Sequence, residues 1–202
     1  MMLLPASRQN QERFLPEKEI RLTSLAQRRV FVGEFFEKAT EQLLGADRLV
    51  TSTRADICPD LYKGDLFFEV KSIGASNELV IRKEYHAREL QFCADHHLYY
   101  VLWSHFCAVN QCMDKTTLQR GLALYLRDII IVPAATIHAI CSVKKCFQWS
   151  RDPRDTGYRL RLKEILATLG TIQETILWEL PVGDYKIGPT TLHLPPTFPI
   201  KV

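Results

Sequence analysis

The sequence lacks several features that would point directly to a class of function. Only 9 of its 202 residues are glycine, and they form no glycine-rich phosphate-binding loop, which argues against an ATP-driven enzyme. Apolar runs fall short of the roughly 20 residues of a membrane span; residues 122–132, for example, contain Arg127 and Asp128. Residues 1–5 are apolar but shorter than the about 7–15 residues of a signal-peptide core. We therefore expect a cytoplasmic protein, nucleoid-associated if bacterial, with no membrane partner.

The six cysteines lack the tight spacing of a zinc knuckle. Cys107 and Cys112 are separated by the same interval as Cys141 and Cys146, so four thiolates could hold zinc or an iron–sulfur cluster. No Gly or Pro turn accompanies either pair, which favours reduced thiols in the core. The sequence leaves this choice open.

The composition is that of a water-soluble globular protein. Hydrophobic residues make up 47% of the chain, and 26 basic against 23 acidic residues give a net charge of +3, which permits a nucleic-acid partner without requiring one. We predict an N-terminal arm over residues 1–22, one domain over residues 23–180, and a tail over residues 181–202. The tail contains five prolines and two glycines, so we expect it to be extended, mostly irregular and packed on the domain.

The order of predicted elements favours an α/β fold. Ser24 can cap a helix that runs to Leu44 and ends at Gly45. The remaining predicted segments are a β-prone stretch at 49–53, a hairpin at 60–71, an extended piece at 78–82, a helix at 83–95, a buried strand at 98–106, a polar connection at 110–119, an apolar segment at 122–132 and helices at 133–145 and 158–169. Together these segments predict a small central mixed sheet, with an antiparallel meander and further strands, flanked by helices.

The predicted hairpin brings two acids and a lysine to one face. Its only turn signal is Lys63-Gly64, and a two-residue loop there places Asp60 diagonal to Glu69, on the face that also carries Lys71. Diagonal neighbours lie roughly 7–8 Å apart, close enough for two carboxylates to share a cation. A loop of odd length would move Asp60 to the opposite face, so the register decides whether this site can exist.

Pro59-Asp60, followed after eight residues by Glu69-Val70-Lys71, resembles the signature of the PD-(D/E)xK nuclease superfamily. The resemblance covers about residues 25–106 and implies a restriction-endonuclease-like core: a helix, an antiparallel meander, a crossing helix and a further strand. It implies that Asp60 and Glu69 bind Mg²⁺, for which Mn²⁺ can substitute, and that Lys71 orients or deprotonates the attacking water.

The resemblance also suggests supporting residues on two helices. Glu34, preceded by Gly33 on the first helix, matches the acidic residue that many members carry there. Gln91 is the best match for a polar residue on the helix after the lysine, with Tyr85 and Arg88 as further candidates. Lys83 and Arg88 are candidates for phosphate contacts.

These residues predict a metal-dependent DNA endonuclease, either restriction-like or associated with mobile elements or recombination. A hard cation held by carboxylates both activates water and neutralises charge on a phosphate. The alternatives are a Holliday-junction or other branched-DNA nuclease, and a non-catalytic DNA-binding or assembly subunit. One site per chain suggests a homodimer, or a subunit of a larger nucleic-acid-processing complex. Asp56 and Asp65 share the face of Asp60 and are the nearest rival ligands.

Overall fold

The computed structural model describes residues 21–49, 59–152, 154–169, 183–187, 190–194 and 200–201. The helices within them are α1 (Leu25–Leu44), α2 (Lys83–Phe92), α3 (Lys115–Leu124), α4 (Ala134–Ser142) and α5 (Leu162–Leu169), with a 3₁₀ turn at Val109–Gln111. The strands are β1 (Asp47–Arg48), β2 (Leu61–Lys63), β3 (Leu66–Ile73), β4 (Glu78–Arg82), β5 (His97–His105), β6 (Leu126–Pro133), β7 (Phe147–Gln148), β8 (Thr156–Arg161), β9 (Gly183–Ile187), β10 (Thr190–Leu194) and β11 (Ile200–Lys201). None of the described helices is long and apolar enough to cross a membrane.

A mixed six-stranded sheet forms the centre, in the order β1-β2-β3-β5-β6-β11. Strands β1, β2 and β3 form an antiparallel meander, β3 and β5 are parallel, β5 and β6 are antiparallel, and β6 and β11 are parallel. Helix α2 lies in the crossover that joins the parallel strands β3 and β5, as such a connection requires. The predicted α/β class, with a central mixed sheet and flanking helices, is confirmed.

A second, smaller sheet of three antiparallel strands has the order β4-β8-β7. The sequence predicts a strand at 78–82, and β4 has those bounds. Its partner β8, however, begins at Thr156 and lies within a segment that the sequence predicts as a helix over 158–169. That segment divides into β8 and α5, because Gly157 lets β8 lie against the backbone of Ile81 in β4.

Helix α1 begins and ends where the sequence predicts. Ser24 forms a capping box with Gln27: the Gln27 amide donates to the Ser24 hydroxyl at 3.1 Å, and the Ser24 amide donates to the Gln27 side chain at 3.1 Å. Gly45 ends the helix in the left-handed conformation, with φ of 58°. On the buried face of the helix, Phe36 stacks on Trp103 of β5 with ring centroids 5.1 Å apart.

The central sheet is buried on both faces. Along β5, Val101 and Trp103 pack on the face covered by α1, whereas Tyr100 and Leu102 pack on the face covered by α4, and all four are fully buried. The sequence therefore shows a continuous apolar run at this strand instead of an alternating pattern.

Other predicted bounds need correction. The polar connection predicted at 110–119 contains the start of α3, which Asp114 caps by accepting from the Thr117 amide at 2.7 Å. The apolar segment at 122–132 contains the end of α3 and most of β6. Two helices end early, α2 at Phe92 and α4 at Ser142, each about three residues short of its predicted end.

The chain ends lie largely outside the described residues. Of the predicted arm, Arg21 and Leu22 are described, and Leu22 is buried with its amide donating to Met113 at 2.8 Å. The predicted strand at 49–53 lies outside the described residues beyond position 49. The described parts of the tail form β9, β10 and β11, so they are regular where the proline content predicted an irregular segment.

Candidate active site

The β2–β3 hairpin turns one residue later than predicted. Lys63 pairs with Leu66, so the two-residue loop is Gly64-Asp65 instead of Lys63-Gly64. Gly64 adopts a positive φ of 58° at the first central position, as a type II′ turn requires. The loop still has an even length, so continuing the register by one step would set Asp60 directly opposite Glu69 instead of diagonal to it. The paired residues end at Leu61 and Phe68, so the shared face of the two acids stays a prediction.

Asp60 is held at the point where the β2–β3 ladder ends. The last backbone pair is Leu61 with Phe68. Beyond it the Val70 amide donates to the Asp60 carboxylate, with 2.7 Å between the nitrogen and Oδ2. The side chain thus takes the place of a backbone partner at this position of β3, and the hydrogen bond fixes the carboxylate against the edge of the strand.

Glu69 and Lys71 form an ion pair on β3. They are two residues apart, so the pleat of the strand sends both side chains to one face. Glu69 is buried, with only 8% of its surface exposed, and Lys71 is half-buried. Burial raises the pKa of Glu69 to about 7, since the attraction of Lys71 only partly offsets desolvation and the repulsion of Asp60.

The same cluster shifts the pKa values of the other two residues. Burial raises the pKa of Asp60, against the lowering effects of Lys71 and of the Val70 amide. For Lys71, burial acts to lower the pKa of the ammonium, but the carboxylates of Glu69, Asp60 and Glu89 together raise it above its ordinary value. Lys71 is therefore a firmly protonated cation among acids.

Helix α1 contributes Glu37, which the sequence analysis did not select. Burial raises the pKa of the Glu37 carboxyl, and the charge of Asp60 raises it further. Arg48 donates to Glu37 at 2.7 Å and holds the side chain in place. Glu37 follows Gly33 by four residues and so shares its helix face, a spacing that could have identified it. The predicted acid, Glu34, is exposed.

Helix α2 contributes Glu89, which is only 4% exposed. Its carboxylate accepts from the hydroxyl of Tyr100 on β5 and lies 3.9 Å from Nε2 of His138 on α4. Burial raises the pKa of Glu89, while Tyr100 and Lys71 lower it. The pKa of His138 falls to about 4 through burial and the neighbouring His86, so His138 is neutral near pH 7.

Asp60, Lys71, Glu37 and Glu89 line a cleft of about 770 Å³, together with Gly33 of α1. Glu69 is buried beside Lys71 and is not among the residues that line the cleft. Among the described residues, β2 pairs with β3 only as far as Leu61, so side chains from both faces of the sheet can meet at this end of the β2–β3 ladder.

Of the supporting residues that the sequence suggested, Tyr85 lines the cleft. Lys83, Arg88 and Gln91 are exposed on α2 and do not line it.

The apolar residues of the helix predicted at 83–95, namely Ala87, Leu90 and Ala94, recur at helical spacing and so predict its buried side, but all three are exposed. The structure instead turns His86 and Glu89 inward, because α2 faces a partly polar cluster.

The four cysteines of the suggested metal cluster lie on opposite faces of the central sheet. Cys107 is buried among the residues under α1 and α3, with Cys112 beside it, whereas Cys141 is buried among those under α4. They cannot bind one shared ion. Burial raises the pKa of Cys107 and of Cys141 to about 12 each, so both are neutral thiols.

No group of three or more His, Cys, Asp and Glu side chains in the described part of the chain is placed so that it could hold a metal ion. Mg²⁺ does not need three protein ligands, because this ion keeps several waters and binds through one or two carboxylates together with substrate phosphates. Asp60 and Glu69 supply two carboxylates side by side, and the ammonium of Lys71 lies among them. The donor set therefore fits a hydrated Mg²⁺ ion.

In comparisons with known proteins, no family model matches the chain, and no curated protein or solved structure shows significant similarity to it.

Proposed function

We propose that the protein is a metal-dependent DNA endonuclease whose centre is Asp60, Glu69 and Lys71. The observation that carries the proposal is the burial of two neighbouring carboxylates and one ammonium at the end of the β2–β3 ladder, beside a cleft that Asp60 and Lys71 line. A purely structural ion pair with Lys71 would need only one acid. Here burial, and in addition the repulsion of Asp60, raise the pKa of Glu69, a cost that is typical of functional sites.

The carboxylates of Asp60 and Glu69 would hold Mg²⁺, or Mn²⁺ in its place. When bound, such an ion lowers the pKa of water and neutralises charge on the phosphate oxygens. Asp60 is positioned for this by the Val70 amide, and Glu69 by its place on β3. Glu37 and Glu89 border the same space and are further candidates to bind the ion through water.

Lys71 would act as a cation. Its raised pKa keeps the ammonium protonated at neutral pH in the metal-free protein. A protonated lysine can orient the attacking water and stabilise the charge that develops on the scissile phosphate. It cannot accept a proton unless the surrounding carboxylates are neutralised first, so the proposal assigns Lys71 to charge stabilisation.

The topology supports the same function. Helix α1, the hairpin β2–β3, helix α2 and the strand β5 parallel to β3 follow the order that the resemblance to the PD-(D/E)xK nucleases implies. The meander is built from β1, β2 and β3. We also propose a restriction-like or mobile-element role for this endonuclease. A homodimer would be the form that cuts both strands of a duplex.

A plasmid-nicking assay tests this function. Supercoiled DNA is incubated with purified protein and Mg²⁺, and the control reaction contains a chelator in excess of the metal. We expect nicked and linear products only with Mg²⁺, and none from the double variant Asp60→Ala, Lys71→Ala. Cleavage by the double variant would overturn the site assignment. A wild-type protein that binds DNA and cuts none under any metal would favour the non-catalytic DNA-binding alternative.

A further inference from the structure

One side of the cleft is a wall of aromatic and arginine side chains. It is formed by the second sheet and the first turn of α2, and we call it the aromatic wall: Arg82, Tyr85, Phe147, Trp149 and Arg159. Its strands β7 and β8 lie beyond the part of the chain that resembles the nuclease core. The aromatic wall therefore includes strands outside the part of the chain that resembles the nuclease core, and it lies beside the candidate catalytic residues.

Arg82 lies between two exposed rings. Its guanidinium carbon is 5.8 Å from the ring centre of Tyr85 and 6.0 Å from that of Trp149. Tyr85 is 37% exposed and Trp149 is 39% exposed, although both are large enough to contribute to a core. Within the part of the chain that the structure describes, Arg82 forms no ion pair with an acid.

The rest of the wall continues the same pattern. Phe147 lies 5.3 Å from Trp149 between ring centroids, and the guanidinium of Arg159 is 4.4 Å from the Phe147 ring. Arg159 also pairs with Glu78 at 3.4 Å, which fixes its orientation. The result is a connected surface of π faces and cations that borders the same cleft as Asp60 and Lys71.

Such a surface matches the bases of an unpaired strand. In a duplex each base is covered by its stacked neighbours, so a protein reaches the edges of the bases but not their faces. Unpaired bases present both faces, and proteins that bind single strands combine aromatic stacking platforms with positive charge for the backbone. Arg29, on the α1 side of the cleft, adds a cation opposite the wall.

We propose that the aromatic wall binds an unpaired segment of DNA and so directs the catalytic residues to single-stranded or flap-like substrates. Bases stack on Tyr85 and Trp149, Arg82 contacts the intervening phosphate or base, and the backbone passes over Asp60 and Lys71. The inference rests on the proposed endonuclease function for its cleavage step. Cleavage of an unpaired strand requires only one cut, so one catalytic site per chain is sufficient.

The test measures binding and cleavage separately. Affinity for a fluorescent single-stranded oligonucleotide and for the duplex of the same sequence is measured by anisotropy in chelator, where cleavage does not occur. The variants are Tyr85→Ala and Trp149→Ala, with Trp149→Phe as a variant that keeps a stacking ring. Tyr125→Ala is the matched control, since Tyr125 is exposed but does not line the cleft. Thermal unfolding checks that each variant is folded.

We expect tighter binding to the single strand than to the duplex. Because stacking on one aromatic ring is worth a factor of about 5 to 150 in affinity, Tyr85→Ala and Trp149→Ala should each weaken single-strand binding by about that factor. Trp149→Phe should retain most of the affinity and Tyr125→Ala all of it. With Mg²⁺, the wild type should cut flaps and single strands faster than duplex.

Two results would overturn the inference: equal affinity for the two forms of DNA, or unchanged single-strand binding in folded Tyr85→Ala and Trp149→Ala. If the wild type cuts duplex DNA with Mg²⁺ and the wall variants change nothing, the wall has no such role but the endonuclease function stands. If single-strand binding depends on Trp149 but no DNA is cut, the aromatic wall binds single strands as proposed and the proposed endonuclease function is refuted.

Discussion

Replacing Lys71 by Met tests the electrostatics of the site without any assumption about substrate. Methionine keeps most of the length and apolar volume of the lysine side chain but removes the charge. The carboxylates of Glu69, Asp60 and Glu89 then lose the cation that offsets their repulsion. At pH 8 each carboxylate must then either stay charged without this counterion or take up a proton, and both cost stability.

The size of the effect follows from burial. Removing one partner of a fully buried ion pair costs about 3–5 kcal/mol. The Lys71 side chain is 32% exposed, so solvent screens part of the interaction and we expect a loss of about 1–3 kcal/mol at pH 8. For a domain of this size, about 2–4 °C in Tm corresponds to 1 kcal/mol, so Tm should fall by about 2–12 °C.

The loss should depend on pH. The pKa of Glu69 is raised from 4.5 to about 7, so between these pH values the folded protein binds a proton that the unfolded chain has released. Stability from such a group is present at low pH and is lost as pH rises through the folded pKa. Without Lys71 the pKa of Glu69 rises further, so the difference between wild type and variant should be largest at pH 8 and small at pH 5.

Urea unfolding at pH 5 and pH 8 measures this difference, and Lys144→Met is the control. Lys144 pairs at 2.8 Å with Glu164, whose side chain is 35% exposed against 11% for Glu69, and the hydrogen bond from Lys144 lowers the pKa of the Glu164 carboxyl. Glu164 therefore stays charged at pH 5, and the control should lose at most about 1 kcal/mol equally at both pH values. An equal loss at pH 5 and pH 8 for Lys71→Met, or no loss, would refute the account of a strained acidic cluster.

Three further predictions concern the site and its supports. Glu89→Gln should lower Mg²⁺-dependent cleavage at least about tenfold, whereas Gln91→Ala should leave it unchanged; the comparison uses initial rates on one labelled DNA. Ser24→Ala should destabilise the protein by about 1 kcal/mol, seen as a lower urea midpoint, with cleavage unaffected by the loss of this helix cap. Gly157→Ala should be strongly destabilising, because a Cβ there would lie 2.2 Å from the carbonyl oxygen of Ile81; a Tm equal to that of the wild type would contradict this packing.

Local signals in the sequence are sufficient for much of the site. The capping box at Ser24 and the glycine at position 45 define α1, since each acts through backbone groups of the next few residues. The shared face of Asp60 and Glu69 is predicted by the period of a strand and an even loop. The turn itself is misplaced by one residue, because Gly64 takes its positive φ at the first central position, as in a type II′ turn, whereas the prediction put this glycine at the second.

The missing parts depend on contacts between distant residues. Strand β4 pairs with β8, which lies more than 70 residues further along the chain, and no local sequence pattern predicts which strand β4 pairs with. The inward side of α2 carries His86 and Glu89, so its apolar residues indicated the wrong face. Apolar periodicity finds a helix face only when the face packs on an apolar core, and here α2 packs partly on a polar cluster.

The most direct test of the central claim compares Asp60→Asn with Asp65→Asn in single-turnover cleavage of a labelled DNA with Mg²⁺. The two changes remove the same charge from the same hairpin, but Asp60 lines the cleft beside Glu69, whereas Asp65 lies in the exposed turn. Our account predicts a loss of at least about 100-fold for Asp60→Asn and a rate within about twofold of wild type for Asp65→Asn. Equal rates for the two variants would contradict it.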